Sequence, residues 1–176
     1  MPNRGVGAIV APRRFDAVVQ RLIASMAATN TTPTALSHLR VVEIGGMPAA
    51  YAASYLGGLG ANVVKVEPPG GDTGRMIPPF AGGIEDVERG LAFLNANLNK
   101  RSIVLDFMDE ADLVNFKALL ASADVFIESA PVGTLEALGL GETALQALNH
   151  GLVTVNMSPF GQWGPYSGFL GGDAVV

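Results

Sequence analysis

Two short β-branched runs, "RVVEI" at Arg40–Ile44 and "NVVKV" at Asn62–Val66, flank the segment "MPAAYAASYLGGLG", whose side chains are mostly small. The runs have the length and composition of buried strands, and the segment between them, about Ala49–Leu59, has the length of a helix. The alternation then repeats: strand Ser102–Leu105, helix Glu110–Ala121, strand Asp124–Ile127, helices around Leu135 and Leu145, and strand Leu152–Asn156. Strands alternating with helix-length segments predict βαβ units and an α/β fold built on a parallel sheet.

Upstream of the first strand, Phe15, Val18, Val19, Leu22, Ile23 and Met26 follow helical spacing, and Thr29–Ser37 has no periodicity. Residues 1–38 therefore read as an N-terminal extension, an amphipathic helix and a linker, ahead of a domain over 39–176. Arg4, Arg13, Arg14 and Arg21 against the one acid Asp16 also give this stretch some likeness to a transit peptide. An N-terminal arm whose helical stripe is packing surface is the preferred reading, with a neighbouring subunit as one candidate for what it packs on. The loop from Glu67 to about Arg89 carries four prolines and five glycines by Gly83. It leaves a strand end, where open α/β sheets bind ligands, and its length predicts a functional or mobile segment.

With 49% hydrophobic residues in 176, the chain can build a sizeable core. A net charge of -5, with basic residues scattered, argues against nucleic acid, and the absence of cysteine removes disulfides and thiolate chemistry. No apolar run reaches the length of a membrane span, so a soluble, cytoplasmic protein is expected. The acids are dispersed and no histidine pair has ligand spacing, so no metal is expected.

Most candidate motifs resolve into structure. Gly139-Leu-Gly141-Glu-Thr-Ala144 fits a dinucleotide fingerprint, but what precedes it reads as helix, so these glycines are expected to end one helix and admit the next. His38 and His150 have no motif around them and read as surface residues. Asp109, Glu110 and Asp112 open a helix and favour its positive end. The loop Gly45–Ala49 remains: it offers backbone N–H groups to a polar or anionic ligand, while the small residues after it fit equally well as tight helix-on-sheet packing.

The blocks "VVEIGG…YAASYLGGLGANVVKVEPPGGD", "NANLNKRSIVLD", "ADVFIESAPVGTLEALGLG" and "LNHGLVTVNMSPFGQWGPYSG" stand in an order that resembles the N-terminal part of the class III CoA-transferase family, over about Leu39 to Val176. That family includes formyl-CoA and carnitine CoA-transferases and the α-methylacyl-CoA racemases. The resemblance implies a Rossmann-like, CoA-binding large domain, incomplete here relative to the family's interlocked two-domain fold. It implies a homodimer or a complementing chain, and acyl-CoA and a carboxylic acid as substrates. In the family an aspartate attacks the acyl-CoA thioester, forms a mixed anhydride, and passes CoA to a second carboxylate. By position the CoA contacts fall on Gly46, Met47, Pro48 and Ala49, on Leu105, on Ser129 and Ala130, and on Gly172.

The same resemblance marks departures. Pro68 stands where some members place an adenine-stacking arginine, Ser129-Ala130 replaces a frequent Asn-Phe, and Ala137 replaces a residue that is often basic. Lys100 and Arg101 read as a charged strand entrance, with a phosphate contact as the alternative. Gly172-Asp173 stands where the racemase branch has His-Asp, which favours transfer over racemisation. The nucleophilic aspartate is expected about thirty residues beyond Asp173, which leaves Asp173 at most an auxiliary. The expected function is the CoA-binding N-terminal portion of an acyl-CoA transferase, truncated before its nucleophile. A short non-catalytic acyl-CoA binder or subunit is the alternative, and a racemase-like activity ranks below both.

Overall fold

The computed structural model describes residues 17, 19–24 and 34–171. Five strands form one sheet: β1 Arg40–Gly45, β2 Asn62–Glu67, β3 Lys100–Val104, β4 Val125–Ser129 and β5 Val153–Asn156. Their order is β3-β2-β1-β4-β5 and every pair is parallel. The helices are α1 Met47–Gly58, α2 Leu91–Ala96, α3 Glu110–Ser122, α4 Thr134–Ala137 and α5 Glu142–Leu148. This is the expected α/β sheet, with α2 as an addition that the sequence pattern did not announce.

Side chains alternate across the strands and so divide the core in two. On one face Val42, Ile44, Val64, Val66 and Phe126 pack against Phe116, Leu119 and Leu120 of α3, with Leu135 and Leu145 from α4 and α5. Phe116 sits between Phe107 and Phe126, its ring centroid 4.7 Å from one and 5.9 Å from the other. Residues 19–24 are helical and lie on this face too: Val19 is fully buried, with Leu22 and Ile23 against the same cluster. This part of the extension thus packs on the chain's own sheet; Phe15, Val18 and Met26 lie outside the described residues.

On the other face α1 covers Val41, Val63 and Ile127 with Ala49 and Ala53. Ala49, Ala50 and Ala53 are fully buried, so small side chains line the packed face of the helix. A Cβ on Gly57 would make only ordinary contacts, 3.4 Å from Val63 Cγ2 and 3.7 Å from the carbonyls of Leu98 and Asn99.

Two smaller expectations hold. Gly139 takes a positive φ of 67° just after α4, and Gly141 is the N-cap of α5, so the glycine pair separates two helices. Asp109 caps α3 by accepting from the N–H groups of Ala111 and Asp112.

Candidate functional site at the strand-order reversal

The sheet runs outward in opposite directions from β1, so the C-terminal ends of β1 and β4 flank the crevice where open α/β sheets take ligands. Gly45 and Ser129, the last residues of these strands, are register partners. Gly45 has φ +96°, and a Cβ there would lie 2.6 Å from Ser129 Oγ and 2.9 Å from the Ser129 backbone. Only glycine permits both the turn and the approach.

From Gly45 the chain enters α1 through Gly46, its N-cap, which supplies no side-chain cap. Ala50 N–H returns to the Gly46 carbonyl at 3.1 Å, and Pro48 has no N–H, so the Met47 and Ala49 N–H groups of the first turn have no intrahelical acceptor. Across the crevice, the Ser129 hydroxyl is buried with no hydrogen-bond partner. Gly46, Met47, Pro48, Ala49, Ser129 and Ala130 thus come together in one place. Leu105 lies two strands away from β1, its side chain buried in the core beside α3 and its N–H bonded to the Glu67 carbonyl at 3.0 Å. Gly172 and Asp173 lie outside the described residues.

Beneath α1 the sheet carries a buried ionic cluster. The Glu43 carboxylate, with no exposure, accepts from Lys65 Nζ at 2.8 Å and from Lys100 Nζ at 2.7 Å. Lys65 also meets Asp72 Oδ2 at 2.6 Å and the Gly45 carbonyl at 3.2 Å. Lys100 donates further to the Ala50 carbonyl and to Asn97 Oδ1. Burial opposes the charge on both lysines. For Lys65 the two carboxylates outweigh it and raise the pKa, whereas for Lys100, with Glu43 as its contacting carboxylate, burial wins and lowers it. Lys100 is therefore committed to the interior rather than to a phosphate. Arg101, beside it, hydrogen-bonds to the Asn62 side chain.

A second network pins the long loop. Arg75 forms a two-pronged ion pair with Glu67, at 2.7 and 2.9 Å, stacks 4.0 Å from the Phe93 ring centroid, and reaches Glu88 at 3.0 Å. Glu67 also accepts from the Asp72 N–H at 2.9 Å and from the Ser102 hydroxyl. Burial would raise Glu67, but the bonds from Arg75, Ser102 and Asp72 prevail and hold it at about 2. Asp72 accepts from Gly74 N–H and begins the 3-10 turn Thr73–Met76. The sulfur of Met47 lies 3.1 Å from where a Gly74 Cβ would be, so this turn walls the crevice. The loop is tied down rather than loose.

Neither network is obvious from the sequence, yet a trace was there. Glu43 and Lys65 occupy the same place in the two runs, "VVEI" and "VVKV", and are register partners. Opposite charges matched inside two buried strands are a cross-strand pair.

A separate hollow of about 410 Å³ opens on the α4–α5 side of β4 and β5, lined by Glu128, Glu136, Glu142, Gln162 and Trp163 among others, without a lysine or arginine. Burial raises the Glu128 pKa against the bond from Ala130 N–H, and Glu136 adds to the rise. Such a lining suits no phosphate. Pro68 and Ala137 are exposed, as are His38 and His150. Among the described residues there is no group of three or more His, Asp or Glu able to hold a metal, and no helix long and apolar enough to cross a membrane.

Residues 36–176 match the model of CoA-transferase family III. The chain is 36% identical over 137 residues to succinyl-CoA:(R)-benzylsuccinate CoA-transferase subunit BbsE of Thauera aromatica, covering 78% of this chain and 33% of that protein. It is 40% identical over 139 residues to the alpha subunit of succinyl-CoA–L-malate CoA-transferase of Chloroflexus aurantiacus, covering 76% and 32%. A crystal structure of a CAIB/BAIF family protein from Brucella suis superposes with a TM-score of 0.74 at 37% identity, covering 82% of this chain and 38% of that one. The chain thus spans about a third of the length of the curated relatives it matches.

Proposed function

The chain belongs to CoA-transferase family III, and from that premise we propose that its β1–β4 crevice holds the CoA part of an acyl-CoA substrate during transfer of CoA between carboxylic acids. The observation that carries this reading is the Ser129 hydroxyl, buried without a partner opposite the uncapped first turn of α1. A buried polar group left unpaired costs free energy, and a bound ligand supplying the missing partner recovers it. The N–H groups of Met47 and Ala49 offer donors to the same ligand, with the positive end of the α1 dipole behind them. Gly46, Pro48 and Ala130 complete the wall, and Leu105, two strands away in the core, is given no part in it.

Both curated relatives above carry succinyl-CoA in their names, so a short dicarboxylic acyl-CoA is the proposed donor and a second carboxylic acid the acceptor. Transfer through a mixed anhydride requires a carboxylate nucleophile at the thioester. No described crevice residue is assigned that role; it falls to polypeptide that follows this region, or to a complementing chain. Exposed apolar residues on two contacting helices support such pairing: Tyr51 and Tyr55 on α1 with Leu59 just past it, and Leu91 and Leu94 on α2 with Leu98 just past it.

Calorimetric titration of the 176-residue chain with CoA tests the binding role. Saturable binding that weakens when Ser129 is replaced is the expected result. A chain with a native circular-dichroism spectrum that takes up no CoA overturns it.

A further inference from the structure

We propose that Lys65 is a positioning residue for the crevice: its ammonium couples the Asp72–Met76 turn to the Gly45 carbonyl and so sets the pose of the loop Gly46–Ala49. The inference rests on the proposed CoA-binding role for its consequence, but its geometry stands separately.

Charge balance sets the two ammoniums, Lys65 and Lys100, against the two carboxylates, Glu43 and Asp72, but does not dictate where their remaining contacts go. Lys100 already gives Glu43 a partner at 2.7 Å, and Lys65 sits at 2.8 Å from the other oxygen of that carboxylate. What distinguishes Lys65 is where its remaining contacts go. One is the Gly45 carbonyl at 3.2 Å, two residues further along β1 on the same face of the sheet, at the mouth of the crevice. The other is Asp72 at 2.6 Å, whose second oxygen accepts from Gly74 N–H at 2.6 Å and so shapes the turn. Gly74 of that turn faces the Met47 thioether, whose sulfur a Cβ at this position would meet at 3.1 Å.

The Gly45–Gly46 peptide is planar and trans, so its carbonyl and N–H point in opposite directions. Holding the carbonyl toward Lys65 directs the Gly46 N–H the other way. Gly45 itself, at φ +96°, has the backbone freedom to swing if that hold is lost. Lys65 thus fixes from below a loop whose own residues supply no side chain to fix it.

The test is Asp72→Asn in the full chain. Its Oδ1 still accepts from Gly74 N–H, while the charge that engages Lys65 is gone. NMR order parameters for the Gly46 and Met47 amides are expected to fall from about 0.85 toward 0.6, with Val42 and Val64 unchanged. The dissociation constant for CoA is expected to rise about tenfold. Gly74→Ala is the second variant: its Cβ would lie 3.0 Å from Asp72 Oδ1 and 3.1 Å from Met47 Sδ, so it presses on both ends of the coupling while every charge is kept. It is expected to disturb the same amides. Unchanged Gly46 and Met47 amides in both variants overturn the inference, as does a loss of order spread evenly through the sheet. If the wild-type chain binds no CoA, the binding role fails, and the amide comparison alone decides the part played by Lys65.

Discussion

Gly45 and Ser129 face each other so closely at the ends of β1 and β4 that a single added methyl carbon on Gly45 would stand 2.6 Å from the Ser129 hydroxyl. Gly45→Ala is expected to destabilise the fold by about 2–4 kcal/mol, from the positive φ together with the crowding. Denaturant unfolding measures it. Ser129→Gly in the same chain should recover only part of the loss, because the Ser129 backbone N and C lie 2.9 Å from that same position. Full recovery would show that the side chain alone sets the approach.

Ser129→Ala separates stability from function. Its hydroxyl is buried without a partner, so removal should leave stability within about 1 kcal/mol of wild type, or raise it. Affinity for CoA should fall all the same. An equal loss in melting temperature and in CoA affinity would mean that the hydroxyl serves the fold.

Lys100→Met distinguishes a buried ion pair from a phosphate contact. It strands one Glu43 oxygen and removes the donor to Ala50 and Asn97, at an expected cost of about 3–5 kcal/mol. The CoA dissociation constant of the fraction that remains folded should be unchanged. A variant that folds as well as wild type but loses CoA would return Lys100 to the ligand.

Strands β1 and β2 were legible because "RVVEI" and "NVVKV" are β-branched runs buried on both faces, whereas β3 and β5, at the sheet edges, are partly exposed and show only as short apolar runs between helix-length segments. The short helix Leu91–Ala96 was not legible. Its six residues are too few to establish a period, and it owes its place to Phe93 under the Arg75 guanidinium, a contact between distant parts of a loop. The crevice residues could be named from the family's blocks, since Gly46–Ala49 and Ser129–Ala130 follow directly on strand ends. The ionic cluster was hidden by sequence separation: Lys100 and Glu43 are 57 residues apart and meet only because β2 lies between their strands.

Acid should unfold the protein partly through Glu67. Its folded pKa of about 2 lies below the unfolded value near 4.5, so its contribution is present above pH ~4.5 and is lost as pH falls toward ~2. Glu67→Gln is expected to flatten stability between those limits and to lower it at pH 7, where Arg75 loses its partner. Urea midpoints at pH 3, 4, 5 and 7 test this. An acid limb of unchanged steepness would assign acid sensitivity to other carboxylates, Asp124 with its Arg40 partner first among them.

Glu128 should behave in the opposite sense. Burial raises its pKa in the folded protein, so its ionised form is disfavoured by folding, and the penalty grows as pH rises above the unfolded value. Glu128→Gln keeps an oxygen for the Ala130 N–H, which now bonds Oε2 at 2.7 Å, and removes the charge. The variant should be more stable than wild type at pH 8 and no more stable at pH 4. Its other oxygen stands only at 3.4 Å from Gln162 Nε2, so little is lost on that side. Destabilisation at pH 8 would show that the carboxylate is held by its neighbours in the ionised form, and that the hollow beside it tolerates a buried negative charge.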